Sequence, residues 1–185
     1  FATVTIIVVA LTPLAPTSFP DPQTEGRKIS YLPPSALHRL FIWRTTANHI
    51  KDKPILGHGF DASRNLYNEK SRTKIKLLTD VPDKTFAILF EPIPLHPHNG
   101  ILQVWLELGV LGAGALLGVL LSLMRSAWDL NKGRTECAVI FAAIASTVFI
   151  ASISFGAWQN WWLSAIYLVA SLSAGVLTKS EFTEN

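Results

Sequence analysis

The stretch CAVIFAAIASTVFIASISFGAWQNWWLSAIYLVASLSAGVLT, Cys137–Thr178, runs for 42 residues without one charged side chain. As a single helix it would be roughly 63 Å long at 1.5 Å per residue, about twice the hydrocarbon thickness of a bilayer. It must therefore fold back once, as a transmembrane hairpin over 137–178. Gly156-Ala157-Trp158-Gln159-Asn160 supplies the turn, with a helix breaker, two amides and a tryptophan. Trp158, Trp161 and Trp162 then fall at one membrane interface, where an indole finds both apolar and polar surroundings.

Working outward, Ile101–Met124 contains one charge, Glu107, and is long enough to cross the membrane, which places a transmembrane helix at 99–124. The short loop 125–136 between the spans holds Arg125, Lys132 and Arg134. Short basic loops stay in the cytoplasm, so this loop lies inside, together with the tail 179–185 and its Lys179. Residues 1–19 are uncharged, and Phe1–Leu14 is expected to be the end of a transmembrane helix closed by Pro13, Pro16 and Pro20. Phe1 falls in mid-run, as in a piece of a longer protein.

The segment 20–98 concentrates twenty charged side chains and belongs on the outer face, periplasmic in a Gram-negative cell. With 49% hydrophobic residues, 16% charged, net charge +3 and mean hydropathy +0.32, the chain is no soluble globular domain, coiled coil or disordered tail. A pI near 9.1 with scattered basic residues argues against a nucleic-acid partner. One cysteine, Cys137, excludes a disulfide framework and a cysteine zinc site. The expected fold is an all-α membrane protein: a multi-span helical bundle with one large extracytoplasmic loop domain.

Inside that loop, Ser35 is placed as the N-cap of a helix that Pro54 stops near Lys53. Ala36, Leu40, Trp43, Ala47 and Ile50 give it one apolar stripe. Arg39 precedes Trp43 by four residues, so its guanidinium can lie near the indole as a cation–π pair. Lys53–Phe60 is a turn whose Gly57 and Gly59 allow positive φ or a close backbone approach. Gly57, Gly59 and Ala62 match G-x-G-x-x-A, but without a preceding strand this is no dinucleotide site. Lys70, Arg72, Lys74 and Lys76 alternate with small or apolar residues, as on a solvated edge. Three prolines in Glu91–His98 hold off helix until His98 and Asn99, which sit at the N-terminus of the next span. Unpaired N–H groups and the helix dipole make that end an anion site. Asn99, Gln103 and Glu107, four apart, line one face and carry polarity inward, where an ionisable side chain turns toward protein or water. A metal held by His96 and His98 with His38, His49 or His58 has no ligand spacing behind it.

The run His96-Pro97-His98-Asn99 through Leu102-Gln103, Glu107, Gly109 and Gly112 resembles the H-x-H-N-x-x-L-Q-x-x-x-E-x-G-x-x-G signature of the O-antigen ligase and polymerase superfamily. Arg39 with Trp43, and Pro54 with Gly57 and Gly59, are similar to its R-x-x-x-W helix and P-x-x-G-x-G turn. The resemblance covers about residues 35–115. It implies a fold like that of the glycosyltransferases with lipid-linked (GT-C-like) donors. It also implies transfer of a glycan from undecaprenyl diphosphate to an acceptor hydroxyl on the outer face of the bacterial inner membrane. The acceptor is the lipid A–core in a ligase and another carrier-linked glycan in a polymerase. By the same resemblance His98 is the catalytic base, and Arg39, Asn99, Gln103 and His96 bind substrate. Trp43, Gly57, Gly59, Glu107 and Gly109 are structural, and the reaction is inverting without metal or cofactor. The family's second arginine, from an earlier segment, has no counterpart here.

The chemistry agrees with the residue types. A diphosphate leaves readily once its charge is stabilised, a planar guanidinium suits phosphate oxygens, and a histidine neutral at pH 7 can take an alcohol's proton. The alternatives are O-antigen polymerase, protein O-oligosaccharyltransferase and, in another class, a non-catalytic membrane transport component. A transporter would carry inverted repeats and midplane charges, whereas here the polar residues gather at the outer end. Topology is tested by replacing Cys137 and placing single cysteines at positions 75 and 132. In intact spheroplasts an impermeant thiol reagent should label position 75 and spare 132; the reverse pattern overturns the orientation.

Overall fold

The computed structural model describes residues 2–20, 31–66, 73–78, 85–90, 93–129, 134–154 and 156–183. Its helices are α1 (Ala2–Leu11), α2 (Ala15–Ser18), α3 (Pro34–Asp52), α4 (Ala62–Leu66), α5 (Gly100–Asp129), α6 (Arg134–Ile153) and α7 (Asn160–Thr183). Two strands, β1 (Thr73–Leu78) and β2 (Thr85–Phe90), lie between α4 and α5. They pair antiparallel with Thr73 opposite Phe90 and Leu78 opposite Thr85. Apart from this hairpin the described residues form helices, in line with the all-α expectation. The hairpin's own sequence explains it: Lys74-Ile75-Lys76 alternates at period two, and Phe86-Ala87-Ile88-Leu89-Phe90 is rich in β-formers. Lys74 and Lys76 therefore belong to β1, while Lys70 and Arg72 fall outside the described residues.

Helix α3 starts one residue before Ser35. Pro33 is its N-cap and Pro34 its first residue, so the expected serine cap is not used. Proline is at home there because a first-turn N–H has no helical partner to lose. The buried face consists of Leu37, Phe41, Ile42, Thr46, Ala47 and Ile50, with Ala36, Leu40 and Trp43 only half-buried. The anticipated stripe is thus shifted by one position at its N-terminal end, about 100° around the helix. The cause is that α3 packs against both α2 and α5 rather than against one neighbour.

The largest departure from expectation lies in α5. Instead of an unbroken helix from Ile101, the backbone leaves helical space at Gly109, with φ 61° and ψ −155°, and then resumes. In a regular helix the carbonyls of Leu106 and Glu107 would accept from the N–H groups of Val110 and Leu111. Here the turn after α3 takes both pairs apart and satisfies all four groups. His58 N–H donates to Leu106 O (2.8 Å) and Gly59 N–H to Glu107 O (2.9 Å). On the other side Val110 N–H donates to Pro54 O (2.8 Å) and Leu111 N–H to Ile55 O (3.5 Å). The turn can approach this closely only because glycines face each other. A Cβ on Gly57 would sit 2.4 Å from the Glu107 carbonyl, and one on Gly109 would sit 2.3 Å from the Ile55 oxygen. A short helix, α4, does follow this turn, but α3 rather than a strand precedes it.

Two apolar clusters form along α5, the second of them running past the break at Gly109. Ile50, Ala62, Leu102 and Leu106 are buried together, with Trp43, Leu66 and Trp105 against them. On the opposite side Val9, Ile101 and Ala113 are buried with Val8, Leu117, Leu120 and Val148 around them. Trp105 joins both clusters, and its indole N–H donates to Val9 O of α1 at 2.8 Å. Among the described residues two helices are long and apolar enough to cross a membrane, Gly100–Trp128 and Thr135–Ile153. Beyond Gly109, Val110–Asp129 alone covers about 30 Å. Helices α5 and α6 extend into the basic stretch, so Arg125 lies on α5 and Arg134 opens α6; backbone pairing continues past the point where apolarity ends.

Glycine substitutions should rank by this geometry. Gly109→Ala and Gly57→Ala combine positive φ with a backbone collision and should each cost more than about 3 kcal/mol. Gly59→Ala has positive φ (94°) but open space around it, and should cost about 1–2 kcal/mol. Gly118, helical with nothing near a Cβ, should tolerate alanine. Folded yield and thermal unfolding in detergent check the order, and equal stability of the Gly109 and Gly118 variants would overturn it.

Candidate active site

Arg39 and Trp43 share one face of α3, and both reach across to other elements. Trp43 Nε1–H donates to Pro97 O at 3.0 Å, which pins the proline-rich approach to α5. Arg39 is exposed, and its NH1 donates to Ile153 O, the last residue of α6, at 2.9 Å. A helix C-terminus presents unpaired carbonyls and partial negative charge, so a cation settles there naturally. The guanidinium is thus engaged by a main-chain carbonyl, with the indole four residues on used for a different bond.

His98 lies at the same helix end. Its backbone is in the left-handed region, φ 52°, uncommon for a residue with a Cβ. Its Nδ1 lies 3.4 Å from Ser154 O. A carbonyl can only accept, so Nδ1 carries the hydrogen and Nε2 carries the lone pair in the neutral ring. Burial is the main force holding the His98 pKa below its ordinary value. The charges of Arg39 and His38 lower it further, and the Ser154 carbonyl partly opposes them. The ring is accordingly neutral at pH 7.

His96 packs beside it, ring centroids 4.4 Å apart. Its Nδ1 accepts from His98 N–H at 3.3 Å, and its Nε2 is 3.2 Å from the side-chain amide of Gln159. With Nδ1 accepting, Nε2 bears the hydrogen and wants an oxygen. Turning the Gln159 amide provides one, and also gives a partner to an Oε1 otherwise buried without any. Burial and then the neighbouring His98 lower the His96 pKa. Both nitrogens of His96 are engaged within the protein, and its ring packs on Gly156, where a Cβ would come within 3.1 Å.

The polar stripe of α5 is also turned inward. Asn99 Oδ1 accepts from Leu102 N–H at 2.9 Å, an N-cap that satisfies one amide of the helix start. Gln103 accepts from Ala157 N–H at 2.8 Å through Oε1 and donates to Glu107 Oε1 at 2.9 Å. Trp158 Nε1–H donates to Glu107 Oε2 at 2.5 Å. Glu107 is fully buried and Gln103 is 3% exposed. Trp158 is therefore more than an interfacial indole: it is tied to α5, with its ring 5.2 Å from that of Phe60. Trp161 is exposed and Trp162 buried.

The expected residues converge in part. Arg39, Trp43, His96 and His98 surround the end of α6, while Asn99, Gln103 and Glu107 hold the scaffold on which they rest. Sequence reasoning missed the carbonyls of Ile153 and Ser154 and the partnership of Trp158. Main-chain acceptors leave no trace in residue types. His49 and His58 form a separate pair, His58 Nε2 lying 2.8 Å from His49 O. Among the described residues no three His, Cys, Asp or Glu side chains converge on one point. Beside Ile153 an apolar groove of about 570 Å³ opens between α1 and α6, lined by Val4, Val8, Val148, Phe149 and Ile153 among others.

A family model described as O-antigen ligase matches residues 1–117. Proteins named "Putative polysaccharide ligase" from Rickettsia prowazekii and Rickettsia typhi are each 35% identical over 150 residues, covering 80% of this chain and 35% of the relative. One from Rickettsia conorii is 35% identical over 145 residues, covering 78% of this chain and 33% of its own length. The chain thus spans about a third of the curated relatives it matches. No solved structure matches it. The sequence identity and the extent of the family match place this chain in the O-antigen ligase family.

Proposed function

We propose that this chain carries the catalytic portion of a polysaccharide ligase of lipopolysaccharide assembly. It would transfer a glycan from undecaprenyl diphosphate to a hydroxyl of the lipid A–core on the outer face of the inner membrane. The observation that carries the reading is the juxtaposition of a neutral, tautomerically fixed His98 with the Arg39 guanidinium, both set on the terminal carbonyls of α6. His98 Nε2 takes the acceptor's hydroxyl proton as the oxygen attacks the anomeric carbon. The bond from that carbon to the diphosphate oxygen breaks, and the diphosphate departs with the electron pair. Arg39 faces its developing charge through the donors not given to Ile153. Attack opposite the leaving group inverts the anomeric centre. The groove between α1 and α6 meets the site at Ile153 and offers an apolar path for the lipid chain of the donor.

Gln103 and His96 enter this reading as supports of the base rather than as substrate ligands, because their polar atoms already have partners, and Asn99 enters it through the helix cap that its Oδ1 makes. The chemistry calls for no metal, since the guanidinium supplies the positive charge.

His98→Ala or His98→Gln should lower transfer from purified lipid-linked donor by about 10²–10⁴-fold with membrane insertion intact. The base works unprotonated, so activity should rise with pH through the His98 pKa. The acid limb should then lie below the ordinary histidine value of about 6.5. Wild-type turnover by His98→Gln would end the base assignment. Arg39→Lys keeps charge but loses the planar fork, so it should be impaired nearly as much as Arg39→Ala. In any residual activity of Arg39→Ala the acid limb should move upward, because a charge opposing His98 protonation is gone. Full complementation by the lysine variant at equal expression would remove Arg39 from the donor site.

A further inference from the structure

We infer that Trp158 is a positioning residue for the transfer: bonded to Glu107, it holds the end of α6 where the Ser154 carbonyl fixes His98 with Nε2 as the base. The inference rests on the reading of His98 as that base, and it names a residue outside the stretch the family model matches.

A histidine base needs an acceptor on its other nitrogen, and here that acceptor is main chain. A carbonyl has no side-chain freedom, so its position is set by the path of the chain on either side. Upstream of Ser154 the path is α6, to whose Ile150 O the Ser154 N–H still donates at 3.1 Å. Downstream, Ala157 N–H and Trp158 Nε1–H are both tied to side chains of α5, Gln103 and Glu107. His98 itself directly precedes the Asn99 cap of the same helix. Base and orienting carbonyl are thus referenced to one rigid half-helix, Gly100–Leu108, by two routes.

The network has a fixed polarity. Ala157 N–H donates to Gln103, and Gln103 and Trp158 each donate to one oxygen of Glu107. Every donor converges on a carboxylate that is 0% exposed. Removing the indole N–H leaves one buried oxygen without its donor, and neither water nor the committed amide of Gln103 can replace it in place. Of the two hydrogen bonds that tie the 156–158 segment to α5, only the one from Ala157 N–H to Gln103 then remains, and the Ser154 carbonyl is held less firmly on that side.

The groups that face His98 are Arg39 and His38 from α3, His96 from its own approach segment, and the Ser154 carbonyl from the end of α6. Of these only the carbonyl favours the protonated ring. Its withdrawal must therefore shift His98 titration to lower pH while leaving the ring worse oriented.

The test compares Trp158→Phe, which keeps an aromatic ring facing Phe60 and removes the pyrrole half of the indole with its N–H, with wild type in the full-length detergent-solubilised enzyme. Turnover is read against pH using lipid-linked donor, alongside thermal stability. The expected result is a kcat loss of about 10–100-fold, with the acid limb displaced to lower pH. Glu107→Ala should act in the same direction, and the double variant should be little worse than either single one, since all act through one bond. An unmoved acid limb in Trp158→Phe overturns the assignment whatever the rate does. If His98→Gln is inactive while Trp158→Phe matches wild type, only the role of Trp158 falls. If His98→Gln retains wild-type turnover, the base reading fails and the Trp158 assignment fails with it.

Discussion

The architecture depends on an exchange of backbone hydrogen bonds at Gly109. Two pairings that an uninterrupted helix would make within itself are opened, and the turn from Pro54 to Gly59 supplies partners for all four groups. Each such bond contributes only about 0.5–1.5 kcal/mol net, whereas a buried backbone group left unpaired costs about 1–3 kcal/mol. The break and the turn are therefore obligate to each other: neither is tolerable without the other. The glycines at 57 and 109 are what let two backbones meet without side chains between them.

That exchange divides α5 into parts with different work. The stretch beyond Gly109 is apolar as far as Met124 and continues as helix to Asp129. The stretch before it is locked laterally to the segment that follows α3, and it presents Gln103 and Glu107 to the chain between α6 and α7. A buried carboxylate is expensive unless its oxygens are met by donors. Glu107 meets that condition with one N–H on each oxygen. The residues around the site are thus fixed relative to a half-helix that the break has already fixed relative to α3, which carries Arg39.

At the site, helix-end chemistry takes the place that a dedicated acidic side chain often fills. The last carbonyls of α6 receive Arg39 and orient His98 without introducing a full negative charge beside them. A carboxylate in that place would raise the histidine pKa and compete with a diphosphate for the arginine. A neutral carbonyl orients the imidazole with a weaker upward pull on its pKa than a carboxylate would exert, and it leaves the guanidinium without a full negative charge beside it.

The sequence by itself determined the apolar spans, the polar block before them, the helix over α3 and the residue types of a base and a phosphate ligand. These follow from local properties: hydropathy, period, proline placement and the chemistry of single side chains. Its motifs also brought Arg39, His98 and the glycine turn to attention. Tertiary structure alone decided that α5 breaks at Gly109, that α3 turns a different face inward, that His96 bonds to the His98 N–H, that the stripe from Asn99 to Glu107 turns inward, and that Trp158 is bonded to Glu107. The alternation of Lys74 and Lys76 with apolar residues was legible only as a solvated edge, and its pairing as a strand was set across the chain. The reason is common to all of these. Each depends on which backbone carbonyl or amide lies opposite a given residue, and main-chain groups are the same in every residue type except proline, so only their arrangement in space distinguishes them.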